Sequence, residues 1–325
     1  MHNIVLTEKP TWQLSEQLDL YAESIENVYV VSPDRKDLEQ LLEIADALVV
    51  RLFPITEEVI SLAAQLRVIG RHGVGMDTVD LKAATRRKIP VVFTPRANSD
   101  SVAEHAIMLM LSVMRRLVEV DETVRSGAWR EDPFPDGGEL LDKTVGIVGF
   151  GKIGQKVARL CGHGFGMRVL VFDPFVPVAD FPEGIRSVET LNDLLCEADC
   201  VTLHAPLGPD TYHMINGKGL SKMKPGSILI NTARGGLVDY KALAQVLRSG
   251  HLAGAGLDVY EHEPLPEGSS LLSLDKRKIT LTPHSAALTD TSMKRMAEMV
   301  CNGIFSVLDG EQPDNIANPE VWEVR

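Results

Sequence analysis

The stretch VGIVGFGKIG (145–154) decides the fold, because it joins an apolar, β-branched run to a tight glycine turn. Residues compatible with a helix follow at 155–160. A strand, a glycine turn and a helix in this order form a pyrophosphate-binding unit, since the helix N-terminus presents free N–H groups and a positive dipole end. The sequence therefore predicts a dinucleotide-binding fold around this stretch.

Each glycine of the turn has an expected task, and an acidic residue follows at the expected distance. Gly149 would make the tight turn, Gly151 would let the backbone approach the pyrophosphate, and Gly154 would let helix and strand pack closely. A second apolar run, 169–172, ends at Asp173, about 20 residues further along the chain. Its carboxylate would accept hydrogen bonds from the adenosine ribose and repel a 2′-phosphate, which favours NAD over NADP.

Length, charge and composition limit the class of protein to which the chain can belong. A chain of 325 residues predicts two domains. The net charge of −12 disfavours nucleic acids and anionic membranes as partners. No apolar run approaches the roughly 20 residues that span a bilayer, and the N-terminus does not resemble a signal peptide. The four cysteines lack metal-ligand spacing. We therefore expect a cytoplasmic protein with reduced cysteines, no metal site and no membrane or nucleic-acid partner.

Apolar runs alternate with helical patterns along the whole chain, which predicts an α/β fold with parallel strands buried on both faces. Strands are predicted at 4–6, 28–31, 47–50, 68–69, 91–93, 200–203, 226–231, 253–258 and 279–282. Helices are predicted at 12–21, 36–43, 56–65, 239–249 and 289–308. Residues 131–139, rich in Pro, Gly and acidic residues, are predicted to form a loop.

The predicted architecture is two Rossmann-like doubly wound parallel-sheet domains. Residues 100–286 would bind NAD, and residues 1–99 with 287–325 would form a discontinuous, flavodoxin-like substrate-binding domain. A single long helix is predicted from Ser99 to about Arg125, and its middle is apolar nearly all round. A helix of that kind is buried. We expect it to contribute to the core and to a homodimer contact.

Several polar residues follow predicted strands, and in open α/β sheets ligands bind at the carboxyl ends of the strands. A histidine there can exchange a hydroxyl proton, a carboxylate can orient the imidazole, and an arginine can bind a carboxylate with two hydrogen bonds. These are the groups that a hydride-transfer site needs. The residues concerned are His204, Thr232, Arg234, Asp258, Glu263 and His284, and Ala233 stands between Thr232 and Arg234.

The chain resembles the D-isomer-specific 2-hydroxyacid dehydrogenases over essentially its full length. The strings that carry the resemblance are VGIVGFGKIG (145–154), SKMKPGSILINTARGGLVD (221–239), GAGLDVYEHEP (254–264) and TPHSA (282–286). The resemblance implies hydride transfer between a nicotinamide ring and a 2-hydroxy acid, in a cleft between two domains.

Residue roles also follow from the resemblance. Arg234 would bind the substrate carboxylate and carbonyl, His284 would be the general acid/base, and Glu263 would hold the tautomer of His284. Asp258 is expected to contact the nicotinamide carboxamide. The other residues expected to bind the cofactor are Lys152, Ile153, His204, Thr211, Thr232, Ala233 and Ser285.

Within the family, the phosphoglycerate dehydrogenases are the most similar group. The segment VVRLFPIT (49–56) resembles the place where their arginine meets the substrate phosphate, and Arg51 holds that place here. In IGRHGVGMDTVD (69–80), which resembles their substrate loop, the N–H groups around Val74 and Gly75 would bind the substrate carboxylate, with Arg71 and His72 beside them. His72 replaces a small residue and Thr78 an asparagine. The chain ends at 325, so no C-terminal regulatory domain is expected.

Two alternatives remain open at this point. A glyoxylate/hydroxypyruvate reductase, or another reductase of small 2-keto acids, belongs to the same class of enzyme, and His72 keeps it open. An NAD-sensing binding protein of the corepressor type would use the same fold, because fold alone does not fix function. The complete set of Arg234, Glu263 and His284 favours an enzyme.

Overall fold

The computed structural model describes residues 1–32, 34–129 and 136–323. The chain divides into two compact units. Unit 1 comprises Met1–Asn98 and Leu288–Arg325, and unit 2 comprises Ser99–Ala287. Throughout the described residues, every helix is too short or too polar to span a bilayer.

The strands, in chain order, are β1 (His2–Leu6), β2 (Ile25–Val30), β3 (Ala47–Val50), β4 (Val68–Arg71), β5 (Val91–Val92), β6 (Thr144–Val148), β7 (Arg168–Phe172), β8 (Ile185–Ser187), β9 (Cys200–Leu203), β10 (Ile228–Asn231), β11 (Gly254–Leu257) and β12 (Ile279–Leu281). The helices are α1 (Trp12–Asp19), α2 (Leu38–Ile44), α3 (Glu57–Leu62), α4 (Leu81–Arg86), α5 (Ser99–Met114), α6 (Leu117–Arg125), α7 (Lys152–Arg159), α8 (Leu191–Glu197), α9 (Gly217–Lys222), α10 (Tyr240–Ser249) and α11 (Asp290–Asp309).

Unit 1 is a five-stranded parallel sheet with the order β2-β1-β3-β4-β5, which is the flavodoxin-like order. One side of the sheet is covered by a cluster that includes α11, where Val300, Ile304 and Val307 are fully buried. The segment after α11 is bound to β5, because Asn318 accepts the N–H of Val91 at 2.8 Å through its side chain. Both ends of the chain therefore build this unit.

Unit 2 is a seven-stranded parallel sheet with the order β12-β11-β10-β9-β6-β7-β8. Its first six strands in sequence follow the Rossmann order, and β12 extends the edge beyond β11. The point where the strand order reverses lies between β6 and β9, and ligands bind beyond the carboxyl ends of the strands at such a point. The α/β class with two doubly wound parallel sheets, predicted from the sequence, is confirmed.

Two details of the prediction are wrong. The single helix predicted from Ser99 to Arg125 is interrupted, because Arg116 adopts a left-handed backbone with φ of 52°. The Gly138 N–H donates to the Met114 carbonyl at 2.8 Å, at the end of α5. Strand β2 is not buried on both faces, since it is an edge strand and Val28 is 44% exposed. Part of the loop predicted at 131–139, residues 131–135, lies outside the described residues.

Candidate functional site

The glycine turn has the shape that a pyrophosphate requires. Gly149 has φ of +94°, and a Cβ there would lie 2.8 Å from the backbone of His204. A Cβ on Gly154 would lie 2.1 Å from the Gly149 carbonyl oxygen, so helix and turn touch directly. Gly151 is the N-cap residue of α7, with open space on its Cβ side, and Lys152 and Ile153 begin the helix. The turn and the N-terminus of α7 therefore fit the pyrophosphate of NAD.

Asp173 lies at the carboxyl end of β7, beside the turn. Its Oδ2 accepts the Phe150 N–H at 2.7 Å, and its Oδ1 accepts the Phe175 N–H at 2.9 Å. The acid that the sequence places about 20 residues after the glycines thus contacts the glycine turn itself. Its position fits the ribose-binding carboxylate of a dinucleotide site.

His284 and Glu263 form a pair in the loops after β12 and β11. His284 Nδ1 lies 2.7 Å from Glu263 Oε2, and Glu263 Oε1 accepts the Tyr260 N–H at 2.9 Å. Burial acts to raise the pKa of Glu263, but the hydrogen bonds from His284 and Tyr260 outweigh it and hold the pKa below its usual value. An ionised carboxylate only accepts, so Nδ1 carries a proton and Nε2 is left for proton exchange. The His284 side chain is 41% exposed, so solutes can reach it.

Arg234 follows β10 and is held by its own backbone neighbours. Asn231 Nδ2 donates to the Arg234 carbonyl at 2.9 Å, and Arg234 Nη1 donates to the Ala233 carbonyl at 2.7 Å. The next residue, Gly235, packs so closely on the loop after β11 that a Cβ would lie 2.0 Å from the Tyr260 carbonyl carbon. The segment carrying Arg234 therefore packs directly on the loop that carries Glu263.

Asp258, predicted to contact the cofactor, is fully buried at the end of β11. Its Oδ1 accepts from the Thr282 hydroxyl at 2.5 Å and from the Ser285 N–H at 2.9 Å, and its Oδ2 accepts the Ala286 N–H at 2.9 Å. Burial acts to raise the pKa of Asp258, yet these donors and His105 hold it below its usual value. The carboxylate is therefore an internal anchor for the segment that follows His284.

The remaining residues predicted to bind the cofactor lie near the same sheet edge. His204 donates its N–H to Val148 at 2.7 Å and places Nε2 3.0 Å from Thr202 Oγ1. Burial lowers the pKa of His204 to about 3, which keeps it neutral. The Thr211 hydroxyl donates to the Pro206 carbonyl at 2.8 Å, within its own turn. Thr232 Oγ1 is buried with no hydrogen-bond partner among the described residues.

The substrate-binding candidates all belong to unit 1, where Arg51 and His72 line a small pocket together with Glu8 and Lys9. The Glu8 carboxylate accepts the N–H groups of residues 51, 52 and 53 at 3.1, 2.6 and 2.6 Å. His72 is 3% exposed, and burial together with the nearby guanidinium groups lowers its pKa to about 4. The neutral imidazole of His72, the acidic residue Glu8 and the basic residues Lys9 and Arg51 therefore line one pocket.

Arg71 shapes the predicted substrate loop from the inside. Its Nε donates to the Gly75 carbonyl at 2.8 Å and its Nη1 donates to the His72 carbonyl at 2.9 Å. Val74 and Gly75 are half-buried at the tip of this loop. Arg71 is 9% exposed, so it fixes the backbone that presents their N–H groups.

Sequence reasoning missed three residues of the site: Asn231, Tyr260 and His105. Asn231 and Tyr260 stand inside the strings NTARGG and DVYEHEP, which carried the resemblance, so their position was a usable signal. His105 stands on a helix more than a hundred residues before its partners, and periodicity does not reveal such a contact.

Comparisons with known proteins agree with this geometry. The model of the D-isomer specific 2-hydroxyacid dehydrogenase family, NAD binding domain, matches residues 107–286. A glyoxylate reductase of Korarchaeum cryptofilum is 42% identical over 299 residues, which are 90% of this chain and 89% of that protein. A D-3-phosphoglycerate dehydrogenase of Methanocaldococcus jannaschii is 41% identical over 287 residues, 87% of this chain but 54% of that protein.

Solved structures agree as well. The TT0316 protein from Thermus thermophilus superposes with a TM-score of 0.88 at 38% identity, over 97% of this chain and 99% of that one. The match to the NAD binding domain covers the glycine turn, Asp173, Arg234, Glu263 and His284. The chain belongs to the D-isomer specific 2-hydroxyacid dehydrogenases, NAD-dependent enzymes that act on the CH–OH group of 2-hydroxy acids.

Proposed function

We propose that the protein interconverts a small anionic 2-keto acid and the matching D-2-hydroxy acid, with NAD as the hydride carrier. The observation that carries this proposal is the pair formed by His284 and Glu263, whose Nδ1 and Oε2 atoms lie 2.7 Å apart. The pair lies at the same edge of the sheet as the glycine turn, because both follow the carboxyl ends of parallel strands. A binding protein that only senses NAD has no need of an oriented acid/base.

The three proposed catalytic residues, His284, Glu263 and Arg234, have different roles in the reaction. NADH, when bound, supplies the hydride that reduces the keto carbon. His284 donates its Nε2 proton to the keto oxygen, so that the carbonyl becomes a hydroxyl. Glu263 keeps the proton of the other ring nitrogen in place and stabilises the imidazolium. Arg234 binds the substrate carboxylate and polarises the carbonyl, which a planar guanidinium does well.

The cofactor site is proposed from unit 2 alone. The turn at 149–154 would hold the pyrophosphate, and Asp173 would hold the ribose and select NAD. His204, Thr211, Thr232, Ala233 and Ser285 lie on the loops at the same edge and would line the rest of the site. Asp258 would contact the nicotinamide carboxamide, and its hydrogen bonds with the N–H groups of Ser285 and Ala286 would also organise the 284–286 segment.

The substrate site is proposed to include the loop of unit 1 that carries Val74 and Gly75, whose N–H groups would bind the substrate carboxylate. Arg51 would bind a phosphate on the substrate. Lys9 and Arg51 both line the pocket of unit 1, and two basic residues there support a phosphorylated substrate such as 3-phosphoglycerate.

A second candidate, a reductase of unphosphorylated keto acids such as glyoxylate or hydroxypyruvate, is favoured by Glu8. Its carboxylate already occupies the N–H groups of residues 51–53 and places a negative charge beside Arg51. Repulsion between the Glu8 carboxylate and a phosphate bound by Arg51 would weaken phosphate binding. His72 also lines this pocket, where its imidazole takes up space that a small residue would leave open.

A homodimer and a cytoplasmic location complete the proposal. Helix α6 has no buried residue among those described, and it exposes apolar side chains. Leu117 and Val124 are 53% and 58% exposed, and Met108 on α5 is 44% exposed. These side chains would be covered by a second copy of the chain. All four cysteines are free thiols, the form that a reducing compartment maintains.

The test is the variant His284→Ala, compared with His213→Ala. His213 also pairs with a glutamate, Glu261, at 2.6 Å, so it is a matched control outside the proposed machinery. We expect His284→Ala to lose about 10²- to 10⁴-fold in turnover while the Kd for NADH changes little. His213→Ala should stay near the wild-type rate.

Turnover is measured as NADH oxidation with pyruvate, glyoxylate, hydroxypyruvate and 2-ketoglutarate, and as NAD reduction with 3-phosphoglycerate. Unchanged turnover in His284→Ala would refute the mechanism. A wild-type protein that binds NADH but turns over none of these acids would favour the NAD-sensing alternative.

A further inference from the structure

Helix α5 contributes the side chain of His105 to the segment that carries His284. Its Nε2 lies 3.0 Å from Thr282 Oγ1 and 3.4 Å from Asp258 Oδ1. The imidazole is 13% exposed, and Asp258 beneath it is fully buried. None of the roles derived above uses this histidine, although it lies within unit 2 beside the proposed acid/base.

The direction of the hydrogen bonds fixes the tautomer of His105. The Thr282 hydroxyl lies 2.5 Å from Asp258 Oδ1, and an ionised carboxylate can only accept. The single hydroxyl proton is therefore used toward Asp258, and Thr282 Oγ1 has only acceptor capacity left. It follows that His105 Nε2 carries a proton and donates it to Thr282.

Asp258 connects the hydroxyl of Thr282 to the backbone around His284 through hydrogen bonds. Its carboxylate accepts the N–H groups of Ser285 and Ala286, and its main-chain carbonyl accepts the His284 N–H at 2.7 Å. From the same helix as His105, the Ser101 hydroxyl donates to the Ala286 carbonyl. Residues 284–286 are thus held on both sides by α5 and Asp258.

This anchoring matters because His284 has a strained backbone. Its φ is +52°, in the left-handed region that costs a non-glycine residue roughly 1 kcal/mol or more. A residue persists there only when its surroundings over-determine it. The left-handed conformation sets the direction of the imidazole, and hence its hydrogen bond with Glu263.

We propose that His105 is a positioning residue for the reaction: its Nε2–H, through Thr282 and Asp258, holds the left-handed backbone that aims His284. The inference rests on the proposed role of His284 as the acid/base. It assigns to α5 a contribution to the rate of the chemical step, apart from its contribution to the core.

The experiment compares His105→Leu, which removes the donor, with His105→Gln, whose amide nitrogen can reach the position of Nε2. Steady-state rates are measured at saturating NADH with glyoxylate and with hydroxypyruvate. We expect His105→Leu to lower kcat by about 10-fold or more, as loss of an orienting hydrogen bond does, with the Kd for NADH within about twofold of wild type. His105→Gln should restore kcat to within about threefold.

Thr282→Val provides a second test that does not depend on the folding of the His105 variants. It removes the bridging hydroxyl at nearly constant volume, and Thr282→Ser restores it. We expect Thr282→Val to lower kcat as His105→Leu does. The double variant that carries both His105→Leu and Thr282→Val should be no slower than Thr282→Val alone, because both substitutions act through one chain of hydrogen bonds. A wild-type kcat in Thr282→Val, additive losses in the double variant, or a Gln variant as slow as the Leu variant would each overturn the inference.

A structural readout separates this inference from the proposed function. Crystal structures of wild type and of Thr282→Val give the φ of His284, and this measurement does not depend on which substrate the enzyme uses. We expect φ to leave the left-handed region, or the His284–Glu263 distance to lengthen, in the variant only. If wild type turned over no keto acid, the proposed function would fail, while the φ of His284 would still decide whether this chain of hydrogen bonds holds it. An unchanged geometry in the variant would overturn the inference.

Discussion

The Asp173 carboxylate accepts the Phe150 N–H at 2.7 Å, and so ties the end of β7 to the middle of the glycine turn. One side chain therefore shapes the turn and presents charge at the place where the ribose is expected. The two effects can be separated, because an asparagine keeps a carbonyl oxygen for the N–H and lacks the charge.

We expect Asp173→Asn to lower the preference for NADH over NADPH by about 10-fold or more, since a negative charge no longer repels the 2′-phosphate. The measurement is kcat/KM for both cofactors at one keto-acid concentration. Asp180→Asn, which removes an exposed carboxylate further along the same connection, is the matched control and should leave the ratio unchanged. An unaltered ratio in Asp173→Asn would assign cofactor choice to other residues.

Glu263→Gln should lower kcat by about 10- to 100-fold with little change in KM. The amide can still accept from Nδ1 of His284, but it cannot stabilise the imidazolium by charge, so the loss appears in the chemical step. Glu261→Gln is the control, because Glu261 pairs with His213 at a similar distance. Equal losses in both variants would mean that the negative charge of the loop matters, and not the contact with His284.

Arg51→Ala distinguishes the two substrate candidates. If Arg51 binds a phosphate, kcat/KM for 3-phosphoglycerate should fall by about 100-fold, the value of a lost charge-assisted contact, and that for glyoxylate by less than threefold. Glu8→Gln is the companion variant. Removing its charge should improve kcat/KM for the phosphorylated substrate and leave glyoxylate unaffected. Equal effects of Arg51→Ala on both substrates would contradict a phosphate role.

Stability should depend on pH through His72. Its pKa is about 4 in the folded protein and 6.5 in the unfolded chain, so the unfolded chain binds the proton first as the pH falls. The stability that neutral His72 contributes to the folded protein is fully present above pH 6.5, and it is lost progressively as the pH falls to about 4. Between pH 7 and 5 we expect the free energy of unfolding of wild type to fall by roughly 2 kcal/mol more than that of His72→Leu.

Calorimetry at several pH values checks this expectation for His72. His163→Leu is the control, because His163 is exposed and its replacement should leave the pH dependence of wild type intact. A His72→Leu variant with the same pH dependence as wild type would show that the pKa of His72 does not differ between the folded protein and the unfolded chain.

Val124→Glu should convert a dimer to a monomer. The side chain is 58% exposed on α6, and a charge buried at an apolar interface costs several kcal/mol. Light scattering after size-exclusion chromatography gives the mass. Val178→Glu, at a position 76% exposed elsewhere on unit 2, should leave the mass unchanged. A dimeric Val124→Glu variant would place the interface on another surface.

Much of the fold could be predicted from the sequence, because buried parallel strands are continuous apolar runs with polar ends. The strand at 47–50 and the helix at 239–249 appear within a residue or two of their expected bounds. The break at Arg116 could not be predicted, since its neighbours are all compatible with a helix and a single left-handed residue leaves no periodicity. Strand β8 has three residues and only partial burial, too weak a pattern to recognise.

Some features of the candidate site could likewise be predicted from the sequence, and others could not. Strand ends brought His284 and Glu263 to one edge of the predicted sheet, and the structure places them in contact. The anchoring by His105 depends on how α5 packs over β11 and β12, and no local pattern encodes that. The contact of Asp258 with the nicotinamide carboxamide, which the resemblance implied, stays a prediction. Its burial and its hydrogen bonds with the N–H groups of Ser285 and Ala286 depend on tertiary packing, which no local pattern encodes.

Unit 1 is built from two separate segments of the chain, and this determines the order in which the two units can fold during synthesis. Its sheet forms from the first 98 residues, yet the apolar side that α11 covers stays open until residues 290–309 have left the ribosome. The intervening unit carries its own core and emerges whole before that helix. Nascent chains should therefore acquire the nucleotide-binding half first, and the earlier-translated segment must wait for its missing helix.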